Sequence, residues 1–143
     1  MGITRASSGG GGGGGVPTEL KVKKVSFDTS TDGMGPATYT LGLTIPNAST
    51  VINVSMRITE GFVEDENFGD PADFVLHLEA DGDLYPALDS LSSHIRSTGW
   101  KQPTGTVLMG NSATWVTTTA ARAITLRLGP MQSGKFDMYV WYY

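Results

Sequence analysis

Cysteine is absent from this 143-residue chain, so no disulfide framework and no thiol chemistry organise it. No apolar run approaches the roughly 18 residues a bilayer span needs, so no membrane segment is expected. The opening stretch, Met1 to Ala6, lacks an apolar signal core. Ala6 also misses the Ser or Thr of an acylation signal at Gly2. Basic charge is scarce: 10 Lys and Arg stand against 14 Asp and Glu, for a net charge of −4. With no basic block, nucleic acid is not expected as a partner. The two histidines, His77 and His94, are too few and too far apart for a zinc motif. No Gly-x-Ser-x-Gly occurs. Ser90, Ser92, Ser93 and His94 sit together, but no oxyanion loop accompanies them. No repeat of solenoid or propeller length is visible.

What remains is an ordinary globular composition, 39% hydrophobic and 17% charged. Residues 18–143 suit one domain, and residues 1–17 read as an extended N-terminal arm. The arm carries Ser7-Ser8 and then seven glycines, Gly9, Gly10, Gly11, Gly12, Gly13, Gly14 and Gly15, followed by Val16 and Pro17. It is no phosphate loop, because neither Lys-Ser/Thr nor a helix follows. A glycine run buries no side chains and is costly to order, which fits a floppy linker. The same backbone can approach another surface closely. The alternative expectation is therefore that Met1 to Pro17 lies along a partner or a neighbouring subunit, with Gly9 to Pro17 in contact.

The body alternates with a period of two. Ile124, Leu126 and Leu128 share one face, and Ala123, Thr125 and Arg127 share the other. After Gly129 to Gly134, Phe136, Met138, Val140 and Tyr142 oppose Lys135, Asp137, Tyr139, Trp141 and Tyr143. This pattern predicts a terminal β-hairpin whose last strand is central or covered on its second face by another subunit. Upstream, Glu19–Asp28 is expected as a strand with a bulge near Lys23-Lys24, because Leu20 and Val22 change parity with Val25 and Phe27. Thr29–Pro36 is a turn-rich loop. Strands are expected over Thr38–Ile45, over Val51–Ile58 with Thr59–Phe62 as a continuation, and over Phe74–Ala80 with Ala80 inward. An acidic loop spans Val63–Asp73. Leu84, Leu88, Leu91 and Ile95 fall at helical spacing, which predicts one short helix over Leu84–Ile95. Thr106–Met109 and Ala113–Thr118 are expected as short strands. About eight strands at this spacing indicate an all-β protein, a jelly-roll-like β-sandwich, with an immunoglobulin-like sandwich as the alternative.

Few residues suggest chemistry. Carboxylates gather from Glu60 to Asp73 and again at Glu79, Asp81 and Asp83, where a solvated rim explains them as well as an acid–base pair does. Asp81-Gly82-Asp83, with Glu79, offers oxygens to a cation but lacks the EF-hand pattern, and it is a common turn. No cofactor or metal is expected. Tyr139, Trp141 and Tyr143 leave three options open: a subunit seam, plain core, or a sugar-stacking platform.

One resemblance is carried by Lys21–Asp28, by Gly35–Ser55, by Thr118–Leu126, and most tellingly by the ending Gly134-Lys-Phe-Asp-Met-Tyr-Val140. Over most of Leu20–Tyr143 the chain resembles small tailed-bacteriophage virion proteins, the capsid decoration (cement) and head-fibre proteins. The glycine arm is not part of the likeness. The resemblance implies a jelly-roll-like, often trimeric domain on the capsid exterior. It would bind the major capsid protein and bridge shell subunits without catalysis, and it would be made in the host cytoplasm. Tyr139, Trp141 and Tyr143 would then form the seam of a homotrimer. A head-fibre or tail receptor- or carbohydrate-binding module is the alternative, and a tail-tube or head–tail connector subunit a further one.

Overall fold

The computed structural model describes residues 19–68, 73–89, 93–102 and 107–143. The arm, Gly9 to Pro17 included, lies outside the described residues. In chain order the elements are β1 (Lys21–Asp28), β2 (Ala37–Ile45), β3 (Thr50–Glu64), β4 (Asp73–His77), β5 (Tyr85–Asp89), α1 (Ser93–Arg96), β6 (Gly99–Lys101), β7 (Val116–Thr117), β8 (Arg122–Leu128) and β9 (Met131–Tyr142). They form two antiparallel sheets. Sheet A runs β1-β9-β3-β6, with β7 also on β3, and sheet B runs β2-β8-β4-β5. The pairs are nested: β1 with β9, β2 with β8, β3 with β6 and β7, and β4 with β5. The chain is thus one long hairpin rolled into two facing sheets, which is the jelly-roll-like sandwich expected from the alternation.

Alternation puts one apolar set from every long strand between the sheets. Val25 and Phe27, Leu41 and Ile45, Val54, Met56 and Ile58, Ile124, Leu126 and Leu128, and Phe136, Met138, Val140 and Tyr142 are all buried there. Phe136 is the hub of an aromatic cluster. Its ring lies 5.9 Å from Phe27 and 5.6 Å from Phe74, and Phe74 packs edge-on to Phe62 at 5.2 Å and to Tyr85 at 5.4 Å. Each fully buried side chain of this kind contributes about 1.5–3 kcal/mol. Two glycines permit the packing. Gly134, at φ +149°, lies where a Cβ would meet the Phe62 ring, and a Cβ at Gly61 would meet the carbonyl of Arg96 at the end of α1.

Several expectations are corrected. The last two strands are not a hairpin: β8 pairs with β2 and β4, whereas β9 pairs with β1 and β3. Gly129-Pro130 carries the chain from one sheet to the other. There the Pro130 carbonyl accepts from Asp65 N–H at 2.9 Å, and the Met131 N–H donates to the Met34 carbonyl at 2.9 Å. Alternation looks the same whether two strands pair side by side or face each other across a core. The second expectation does hold: β9 is central, between β1 and β3.

No bulge occurs at Lys23-Lys24, because the β1–β9 register is unbroken from Lys21↔Tyr142 to Asp28↔Lys135. Val22 simply faces outward, 49% exposed, and Lys21 takes the inward parity with its ammonium 6.0 Å from the Tyr142 ring. A flexible, amphipathic lysine stem tolerates that position at an edge strand's end. Register irregularities lie elsewhere, between Thr40 and Thr44 of β2 and between Val51 and Asn53 of β3.

The helix expected over Leu84–Ile95 is mostly not one. Tyr85–Asp89 is strand, and only Ser93–Arg96 is helical. Leu84 and Tyr85 are both buried against the core, and Pro86 is tolerated because β5 is the edge of sheet B. Ala80 is exposed rather than inward, since β4 ends at His77. Gly99–Lys101 supplies the strand that had been expected at Thr106–Met109. Of that stretch, Val107 accepts one bond from Val54 N–H at 3.2 Å, and Leu108 makes only an isolated bridge to Asn111. Ala113–Thr118 is a 3-10 turn followed by the two-residue β7. β6, Val107 and β7 thus line the second edge of β3 in succession. The Gln102 amide ties them by donating to Asn53 Oδ1 at 3.0 Å and the Val54 carbonyl at 3.1 Å.

Candidate functional site

With the inner set of β9 in the core, its other parity must face out. The registers of sheet A place Val22 beside Trp141 and Asn53, Lys24 beside Tyr139 and Ser55, and Ser26 beside Asp137, Arg57 and Trp100. Three rings result, stepped across the sheet. Trp100 lies 5.5 Å from Tyr139, and Tyr139 lies 6.3 Å from Trp141, each pair tilted by 40°. Trp100 is 60% exposed and Tyr143 is 39% exposed, whereas Tyr139 and Trp141 are half-buried between their strand neighbours. The end of the chain is pinned: Tyr143 exchanges both backbone bonds with Thr50, at 3.1 and 3.2 Å.

Polar groups frame the rings. Lys24 holds its ammonium 6.0 Å from the centre of Tyr139 and 3.7 Å from Asp137 Oδ2. Ser26 donates to Asp137 Oδ1 at 2.6 Å, and the Gln102 amide fixes Asn53. A flat aromatic surface bounded by amide, hydroxyl and charged groups is suited to adhesion, because the rings bury large area while the rim satisfies polar partners. Of the residues singled out from sequence, Tyr139, Trp141 and Tyr143 fall on this face. The sequence signal missed Trp100 as their neighbour, because β6 is only three residues long and its pairing with β3 shows in no alternation.

Three further candidates, Glu79, Asp81 and Asp83, are engaged in holding turns and loops. Asp83 accepts from the N–H groups of Leu78, Glu79 and Ala80 at 2.8, 2.8 and 2.9 Å. Asp81 accepts from Arg127 at 2.7 Å and lies 3.1 Å from His77 Nδ1. The Arg127 hydrogen bond holds the Asp81 carboxyl below its ordinary value. Glu79 accepts from Thr119 N–H at 2.8 Å, Thr119 Oγ1 at 2.9 Å and Arg122 Nε at 3.0 Å, and the Thr119 backbone bond is the main cause of its lowered pKa. Ser30 does the same for Asp28.

Among the described residues no group of three or more His, Asp or Glu side chains is placed to hold a metal. A depression of about 280 Å³ holds Asp28, Asp32, Asp137 and Lys135. Its acids are bound to their own neighbourhood: Asp28 to Ser30, Asp32 to the Asp28 N–H, and Asp137 to Ser26. Ser90, Ser92 and Asp70 lie outside the described residues.

No protein-family model and no curated protein matches the chain. Two solved structures share its fold. One is a chain of the cyanophage Pam1 capsid asymmetric unit, 16% identical with a TM-score of 0.56, covering 98% of this chain and 93% of that one. The other comes from the acidic stable capsid structure of Helicobacter pylori bacteriophage KHP30, 14% identical with a TM-score of 0.54, covering 86% of each. At these identities the likeness is one of fold.

Proposed function

We propose that this chain is a non-catalytic structural virion protein that binds the outer surface of a phage capsid and bridges its subunits, a decoration or cement protein. The observation that carries this is the pairing of a fold shared with chains of two phage capsid structures with an outward aromatic face. In this proposal the major capsid protein is the partner. Met1 to Pro17 carries the lattice contact, and Tyr139, Trp141 and Tyr143 lie at the seam of a homotrimer on the capsid exterior. Contacts available only on the assembled shell favour the intact shell by mass action.

The test is binding to shells built from the capsid protein of its own phage. The full chain is expected to co-sediment with shells and raise their melting temperature, and a chain lacking residues 1–17 is expected to do neither. Full-strength binding by the shortened chain would rule the arm out as the lattice contact. The exposure of Trp100 beside Tyr139 favours one second reading, a carbohydrate-binding head-fibre module. Glycan binding that is lost in Trp100→Ala, without any shell binding, would select that reading.

A further inference from the structure

We propose that the outer aromatic face of sheet A on one copy is the seat for the N-terminal arm of a neighbouring copy. This rests on the reading of arm and face as contact surfaces, and it pairs them with each other.

The first support is where the arm ends. Eighteen residues precede Glu19, and β1 begins at Lys21 on the edge of sheet A. Its outward residue Val22 is cross-strand to Trp141, so the arm joins the body at the rim of this same face. Length permits the reach. At no more than about 3.3 Å per residue, a chain from Lys21 can carry Gly15 up to about 20 Å and Gly9 up to about 40 Å away. A body of this size has a radius of gyration of about 14 Å, so the run is long enough to arrive at the next copy.

The chemistry of the face fits the occupant. Trp100, Tyr139 and Trp141 stand among Ser26, Asn53 and Ser55, with Lys24 and Arg57 on the same face. Glycine, having no side chain, brings its Cα and N–H groups directly onto aromatic faces. Association through the edge of β1, unpaired among the described residues, is disfavoured by Lys21, Lys23 and Lys24, which leaves the face itself as the apolar contact.

The experiment follows the mass of the full chain against concentration and the indole N–H signals of Trp100 and Trp141. The full chain is expected to self-associate. Gly11→Val with Gly13→Val, in a chain of unchanged length, is expected to weaken association at least tenfold, and so is Trp100→Ala. Combining the two changes is expected to add little, because both remove one contact. The buried cluster spans Val25 to Tyr142, so unfolding curves of these variants, taken at concentrations too low for self-association, should match the parent. A full chain that stays monomeric would overturn the proposal, as would undiminished association in the valine variant or additive losses in the combined one. Shell binding, measured separately, distinguishes the two levels. Variants that lose self-association but bind shells leave the decoration role standing. Self-association in a chain that binds no shell sustains the arm–face contact and removes the role.

Discussion

The two outer faces of the sandwich are built from the same period-two pattern and differ in what that pattern exposes. On sheet B, Thr38 and Thr40 of β2 stand beside Arg127 and Thr125 of β8, with His77 of β4 across from Thr125. An ion pair laces this side, Arg127 with Asp81 at 2.7 Å, and Arg122 meets Glu79 at 3.0 Å at the start of β8. On sheet A the equivalent positions hold Trp100, Tyr139 and Trp141. The inner faces are alike, both apolar and buried. Stability therefore resides in the layer the sheets share, and in the proposed function recognition falls to the layer where they differ. Threonines and paired charges make a face content in water, whereas an exposed aromatic row leaves area still to be buried.

The largest effect is expected from the shared layer. Phe136→Ala removes the ring at the centre of the cluster and is expected to cost about 3–5 kcal/mol in denaturant unfolding. A loss below about 1 kcal/mol would mean that the core does not depend on β9. Gly134→Ala comes next, with a destabilisation above about 1 kcal/mol from a left-handed backbone and the clash with Phe62.

The pH dependence of unfolding sharpens the contrast between the faces. Glu79 and Asp81 have folded pKa values below their ordinary 4.5 and 3.8. Each binds protons more readily unfolded than folded, so its contribution is complete above the ordinary value and fades as pH falls through the lowered one. Asp81→Asn is expected to flatten part of that acid limb. An unchanged limb in that variant would detach the sheet B network from stability. The smallest effect on stability belongs to sheet A: Trp100→Ala is expected to change unfolding by no more than about 0.5 kcal/mol, yet to weaken self-association at least tenfold. A large loss of stability there would make the ring structural and erase the distinction.

Much of this was legible in the residues and some was not. The inward sets of β2, β8 and β9 were readable, because alternation over seven or more residues admits one buried face. The aromatic run at Tyr139 to Tyr143 marked the last strand as central or covered on its second face, and left seam, core and platform open. β5 reads as helix in the sequence, since Leu84, Leu88, Leu91 and Ile95 fit a helical face, and only the pair Leu84 and Leu88, four apart, would fit a strand face as well. β6 was invisible, because three residues carry no period. Trp100 therefore could not be joined to Tyr139 before the sheet was seen.

Local alternation, set by the pleat of the backbone, determined by sequence alone that this is a β protein, which side chains of its longest strands share a face, and that its final strand carries large residues on both. The sheet to which each strand belongs was decided only in three dimensions. The step from β8 to β9 crosses the core instead of turning beside it, because pairing partners are chosen by contacts distant in the chain: β1 with β9, β2 with β8. That choice assembles the aromatic face and orients the start of β1 at its rim.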